Sequence, residues 1–231
     1  MMKVTYIGHS GFLTEDENRY CLFDYYRGSL PALDTGKKML VFASHAHHDH
    51  FQPDIFRLRE QFSDIRYILS SDIPADRYED RGDIIVMAPN EERTASGCRV
   101  RTLRSNDQGV AWLVKTETKT IYHAGDLNWW DWEEESDVFR KVIRRTYQSE
   151  INKLQQEHID IAFVPVDPRL GRAYCLGLDW FMKRTDTEVV FPMHFWENFE
   201  ISDRLMLEPC TEDYRDRIQR IEREGQSFEL E

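Results

Sequence analysis

Four of the chain's eight histidines fall inside Ser44-His45-Ala46-His47-His48-Asp49-His50, directly after the apolar run Met39–Ala43. In an extended segment, residues two apart point the same way, so His45 and His47 can offer imidazoles to one ion. Where the chain turns into a helix expected from Pro53, Asp49 and His50 can reach a second ion. Imidazole nitrogen and carboxylate oxygen suit zinc, and they also accept manganese or iron. The plain alternative is a loop of solvated histidines, but three His and one Asp spaced i, i+2, i+4, i+5 rarely arise by accident. His48 has no place in that pattern and should point away.

The run constrains the fold because it must sit at the end of a strand. Short apolar or alternating runs ended by Gly, Asp or Ser read as strands at Lys3–Ile7, Tyr20–Phe23 and Met39–Ala43, with a hairpin tip at Asp16-Glu17-Asn18. Pro53 suits a helix N1 position, with Ile55, Phe56, Leu58, Arg59 and Phe62 on a helical period. Further strands are expected at Arg66–Leu69, Ile84–Met87, Val100–Leu103, Val110–Lys115 and Thr120–His123.

From Ser136 to about Glu157, Val138, Phe139, Val142, Ile143, Tyr147, Ile151 and Leu154 recur at helical steps with Arg140, Lys141, Arg144 and Arg145 between them. A strand at Asp160–Val164, a helix near Leu178–Arg184, a strand at Glu188–Phe191 and a last helix around Glu212–Glu222 complete the reading. His158 is then most simply a cation at a helix C-terminus. No linker or repeat interrupts the 231 residues, so one domain over 1–231 is expected, with packed sheets covered by helices.

Composition narrows the partners. A formal charge of −12 (30 basic against 42 acidic side chains) disfavours extended nucleic acid and an anionic membrane surface, both of which need clustered Lys and Arg. No apolar run approaches a membrane span and no signal peptide is visible, so a cytoplasmic protein is expected. The four cysteines, Cys21, Cys98, Cys175 and Cys210, lack a C-x-x-C pair and read as buried or half-buried thiols in a reducing compartment. Oligomeric state is not readable from the sequence.

The H-x-H-x-D-H run resembles the signature of the metallo-β-lactamase superfamily, and the resemblance covers most of the chain, from Met2 to about His194. Tyr6-Ile7-Gly8-His9-Ser10 is similar to the opening strand and turn of the lactonase- and phospholipase-D-like branch. Leu22-Phe23-Asp24 resembles its Asp-ended third strand, and Tyr122-His123-Ala124-Gly125-Asp126 its strand-plus-Gly-Asp segment. Phe191-Pro192-Met193-His194 resembles its late strand-end histidine. The resemblance implies an α/β (α+β) fold, a four-layer αββα sandwich with a one- or two-metal site at one sheet edge.

It further implies that His45 and His47 hold the first metal, that Asp49, His50 and His194 hold the second, and that Asp126 bridges both. One departure stands out. The third histidine of the first site is missing, and Arg104-Ser105-Asn106-Asp107-Gln108-Gly109 occupies its place. Either Asp107 supplies an oxygen ligand (Asn106 a weaker one), or Asp107 organises a turn before Gly109. A carboxylate here would shift preference toward harder ions.

The function implied is a metal-dependent hydrolase. A metal-bound hydroxide would attack a small carbonyl substrate (lactone, ester or amide) or a phosphodiester, and Asp49 would orient the water or shuttle its proton. The cofactor would be one or two ions of Zn2+, or of Mn2+ or Fe2+. A catalytically weakened metal-binding or ligand-sensing protein of the same fold is the alternative that the missing histidine motivates, and oxygen chemistry at a mononuclear iron site is a third. Trp129, Trp130 and Trp196 are either walls of a substrate pocket or simple packing. His9 and His123 are candidates for orienting the ligands rather than for binding an ion. Bound ions would make the cleft locally positive, so a small anionic molecule could enter despite the overall sign.

Overall fold

Alternation of period two assigns the two faces of the strands before any sheet is drawn. Phe12, Cys21, Phe23, Leu40 and Phe42 belong to one buried cluster, while their neighbours Leu13, Tyr20, Leu22, Met39 and Val41 belong to another. A computed structural model describing residues 1–231 shows what each face meets. In the first sheet, β1 (Met2–Gly8), β2 (Gly11–Glu15) and β3 (Arg19–Phe23) are antiparallel neighbours, and β4 (Lys38–Ala43), β5 (Ile65–Ser70) and β6 (Ile84–Met87) extend it in parallel.

The second sheet begins with the antiparallel strands β7 (Glu92–Ala95), β8 (Cys98–Arg104), β9 (Val110–Lys115) and β10 (Thr120–His123). It is completed in parallel by β11 (His158–Pro165) and β12 (Asp186–Met193). The last strand, β13 (Ser227–Leu230), returns to cover the outer edge of β1.

The inner faces meet through aromatic side chains. Phe12 stacks on Phe163 at 4.2 Å and Phe42 meets Trp112 at 5.6 Å between ring centroids. The outer face of the first sheet is covered by Ile55 and Leu58 of a 3-10 helix, Pro53–Glu60, and by Phe62. The outer face of the second is covered by α1 (Asp137–Asn152) and α2 (Leu176–Arg184), with Tyr122 stacked on Phe181 at 5.0 Å. This is the expected four-layer sandwich. A third helix, α3 (Glu200–Leu207), follows the second sheet, and no helix is long and apolar enough to cross a membrane.

Several elements depart from the sequence reading. The segment after Pro53 is 3-10 rather than α. The helix expected at Glu212–Glu222 is absent, apart from a single turn at Arg215–Arg217. Its backbone is claimed by neighbours, since Gln219 N donates to Val190 O at 2.9 Å and Ile221 N to Ser202 Oγ at 3.1 Å. Helix α1, capped by Ser136, stops at Asn152, so His158 opens β11 instead of ending a helix and pairs with Asp186 at 2.7 Å. Of the apolar residues assigned to α1, Ile143, Tyr147 and Ile151 are buried, whereas Val138, Phe139 and Val142 in its first turns stay exposed. The cysteines do match the expected burial: three are buried and Cys210 is half-buried, with the Cys175 and Cys210 thiols hydrogen-bonded at 3.8 Å and not joined by a disulfide.

Candidate metal centre

In both sheets the parallel strands deliver their C-terminal ends to one edge, where an open α/β fold ordinarily presents its ligand-binding groups. From the first sheet come the β1–β2 turn with His9, Asp24 after β3, and the histidine run after β4. From the second come Asp107 between β8 and β9, Asp126 after β10, Asp167 after β11 and His194 after β12. Two backbone hydrogen bonds stitch the edges together, from Val110 N to Ser44 O at 3.0 Å and from His194 N to His9 O at 3.2 Å.

The side chains gather into two groups. His45, His47, Asp107 and Asp126 form one, and His9, Asp49, His50 and His194 form the other; within each, the donor atoms lie within 4.8 Å of one another. Asp126 stands between them. Its Oδ2 is 3.5 Å from His45 Nε2, while its Oδ1 is 3.2 Å from His50 Nε2 and 3.4 Å from His194 Nε2. Asp107 faces His47 Nδ1 at 3.9 Å and also follows the turn that its Ser105 and Gly109 neighbours make. Asn106 is spent elsewhere, because its amide donates to Asn128 O at 2.8 Å. His48 is exposed and belongs to neither group, although its Nδ1 lies 3.8 Å from Asp49 Oδ1.

Behind the donors a layer of hydrogen bonds sets each imidazole. Asp24, fully buried, accepts from Ser44 N at 2.7 Å, Ser44 Oγ at 2.6 Å and His50 Nδ1 at 2.7 Å. The Ser44 hydroxyl, its proton given to Asp24, accepts from His45 Nδ1 at 3.0 Å. Asp167, equally buried, accepts from His194 Nδ1 at 3.0 Å. All three imidazoles therefore give Nδ1 to this layer and turn Nε2 toward the centre, and, although burial opposes it, the Asp126 and Asp24 charges raise the pKa of His50. Burial works against the Asp24 charge, but His123 and His50 outweigh it and hold the carboxyl at about 2. Burial, followed by the nearby His50, pulls His45 down to about 4, so it is neutral and available at pH 7.

The centre has the chemistry of a cation site. His50 Nε2, Asp126 Oδ1 and both ring nitrogens of His9 are buried without a hydrogen-bond partner, an arrangement that costs about 1–3 kcal/mol per group unless something satisfies it. Partial burial and the Asp126 charge push the Asp107 carboxyl up, as expected where carboxylates crowd without a counter-ion. Residues and group fit one another.

His9 enters the second group rather than standing behind it. It adopts a positive φ of 54°, and its ring lies against Trp196 and His194 with centroids at 4.1 and 4.3 Å. Its Nε2 is 3.4 Å from Asp49 Oδ2. His123 does stand behind. It accepts from Gly125 N at 3.1 Å, donates to Ser10 O at 2.9 Å and stacks flat on Phe23, which sets the turn that aims Asp126.

A cleft of about 290 Å3 opens beside the groups, walled by Trp130, Trp132, Phe139, Ile143, Trp196 and Arg169. Trp130 and Trp196 thus lie where the sequence suggested, and Trp130 Nε1 donates to Asp126 O at 2.8 Å. Trp129 does not line the cleft, because it packs against Trp180 and the Arg144 guanidinium. Sequence reasoning did not assign Asp167 a role, and it named Asp24 only as a strand end. Both are Asp residues closing apolar strands, which is the signal that could have found them.

A family model described as a beta-lactamase superfamily domain matches residues 3–138. The chain is 25% identical over 210 residues to a metal-dependent hydrolase of Nanoarchaeum equitans, covering 84% of each chain. Among solved structures, Igni18, a metallo hydrolase of the hyperthermophilic archaeon Ignicoccus hospitalis, aligns over 100% of this chain and 99% of its own, with a TM-score of 0.66 at 17% identity. The E377D mutant of CmlA, a diiron beta-hydroxylase of Streptomyces venezuelae, aligns over 99% of this chain and 54% of its own, with a TM-score of 0.64 at 12% identity. These two likenesses are of fold.

Proposed function

The chain belongs to the beta-lactamase superfamily, and on that premise we propose that it is a metal-dependent hydrolase acting on a small carbonyl or phosphodiester substrate. The observation that carries this reading is the pair of four-donor groups meeting at Asp126. His45, His47 and Asp107 would hold one ion, His50, His194, Asp49 and His9 the other, and Asp126 would serve both. A divalent ion at such a site lowers the pKa of a coordinated water from about 15.7 toward about 7 and polarises the substrate oxygen.

The protein's own contribution is orientation and the exclusion of water. Asp24, Ser44 and Asp167 hold the imidazoles by Nδ1 and aim Nε2 at the centre. Asp49 stays ionised although burial opposes it, because His9 and His50 stabilise its charge. Held as a carboxylate, it can accept a hydrogen bond from a water at Oδ2 and orient it, with the His9 ring beside it. Trp130 and Trp132, parallel at 6.0 Å, exclude water from one side of the cleft.

The experiment is elemental analysis with turnover of esters, lactones and phosphodiesters, using His47→Ala and Asp126→Ala as controls. Two ions per chain and loss of turnover in both variants support the reading, whereas undiminished turnover after chelation refutes it. A single tightly held ion without turnover would support the weakened binding protein instead. A second reading follows from Asp107. Two carboxylates with two imidazoles in the first group also suit iron, and the fold is shared with a diiron hydroxylase. Anaerobic purification with iron analysis tests it.

A further inference from the structure

The cleft wall contains one half-exposed cation that a buried carboxylate holds by one edge and whose hydrogen-bonding capacity is only partly used. Arg169 follows β11 in the loop Pro168–Ala173, and its Nε and Nη2 donate to the buried Asp167, at 2.9 Å from Nε to Oδ2. Its guanidinium carbon lies 5.6 Å from the Trp132 ring centre and 5.9 Å from that of Trp196. An ion pair on one side and two indole faces around it leave the group little freedom. Nη1 has no partner in the protein. The other polar wall residue outside the donor groups, Asn106, is spent on Asn128 through both ends of its amide. The free end of Arg169 is thus the wall's unspent charged donor, opposite an apolar side made by Phe139 and Ile143.

Arg169 and Asp167 cancel, and the two divalent ions of the reading above would balance Asp24, Asp49, Asp107 and Asp126, so what the cleft wall offers an anion is a directed donor, the open end of Arg169, rather than a net charge. Resting on that reading of the site, we propose that the substrate carries an oxyanion, carboxylate or phosphate, that Arg169 anchors end-on. The apolar stem of the substrate lies between the Trp132–Trp196 pair and Phe139–Ile143, and its scissile group lies at Asp126. The fork geometry of the guanidinium gives two parallel hydrogen bonds to either oxyanion, which makes Arg169 a specificity-determining residue.

The test compares the metal-loaded wild type with Arg169→Gln, which keeps a donor for Asp167 but no charge, and with Arg169→Lys. Monomethyl glutarate and methyl phosphate are titrated by tryptophan fluorescence. In parallel, kcat and KM are measured for mono-p-nitrophenyl glutarate and for the uncharged p-nitrophenyl pentanoate. At equal metal content, Arg169→Gln should weaken at least one anion by about tenfold or more, the factor expected for a charged hydrogen-bonded contact. It should also collapse the preference for the glutarate ester through KM, and Arg169→Lys should recover part of both. The anion that weakens more identifies the oxyanion. Unchanged affinities, or loss of metal instead of affinity, would overturn the inference and leave Arg169 a prop for Asp167. If neither these esters nor the lactones and phosphodiesters of the first experiment are turned over, the hydrolase reading fails while the titration still decides the anchor.

Discussion

Asp107 Oδ2 faces His47 Nδ1 at 3.9 Å, both half exposed on the cleft floor, in the stretch where the resemblance called for a third histidine. On the proposed reading the loop keeps the position and changes the donor. Asp107→Ala should lower the metal content from two ions to one and reduce kcat/KM by about a hundredfold, the upper range for losing support at a metal site. Asp107→His should keep two ions and shift the preference toward zinc. Metal analysis after growth on mixed metals reads both outcomes.

Asp24 offers a test of orientation without touching an ion. Asp24→Asn preserves shape but cannot hold the His50 Nδ1 proton as a charged acceptor. It should weaken metal affinity by about 10–100-fold in competition with a chelator. Asp24→Ala also strands Ser44 and His50 in a fully buried place and should cost about 3–5 kcal/mol in urea unfolding.

Gly109 and Gly82 separate backbone conformation from close approach. Both have positive φ, 72° and 77°. An added Cβ at Gly109 would overlap the Ser44 carbonyl and the His45 side chain, whereas nothing lies within 4 Å of one at Gly82. Gly82→Ala should cost about 1–2 kcal/mol, the left-handed penalty alone. Gly109→Ala should cost clearly more and drive Asp107 away from His47, and thermal melts with metal analysis would show both effects.

Glu157 lies away from the centre, paired with Lys115 at 2.5 Å and Arg101 at 2.9 Å. Burial opposes its ionisation, but these two cations outweigh it and lower its pKa. A depressed carboxylate stabilises the fold above its unfolded pKa of about 4.3, and that stability is lost as the pH falls through the folded value. Glu157→Gln should therefore be less stable at pH 7, by about 0.5–1 kcal/mol because the pair is partly exposed. The difference should vanish at a pH below the depressed value.

Chelation should lower the melting temperature. An ion in hundredfold excess over its Kd stabilises by about 2.7 kcal/mol, or roughly 5–10 °C for a chain of this size. Equal melting curves with and without a chelator would speak against a folded-state ion.

The sandwich and the metal groups were legible for different reasons. Strands such as Ile84–Met87 and Val110–Lys115 are continuous apolar runs between turn residues, and they fold with those same limits. The histidine run carries its spacing on its face, and it takes up the grouping that spacing implied, His45 with His47 and Asp49 with His50. Tyr214, Ile218 and Ile221 have helical spacing and are buried, yet no helix forms because Val190 and Ser202 take the backbone hydrogen bonds. Such competition is tertiary and leaves no local trace. The role of His9 was hidden similarly, since a lone histidine in a turn says nothing about the strand end 185 positions away that it meets.

That meeting has a consequence for how the protein is made. His9 and His194 come from opposite ends of the synthesis, and Tyr6, just before His9, is held on both backbone groups by Gly225 and Gln226. A nascent chain displaying only the histidine run can offer an ion a few donors, not a completed cage. On the proposed reading a chain stopped before β12 has every donor of the first group but lacks His194 of the second, so two-ion occupancy doubles as a mark that β12 is in place, and without β13 such a chain leaves the β1 edge open to proteases.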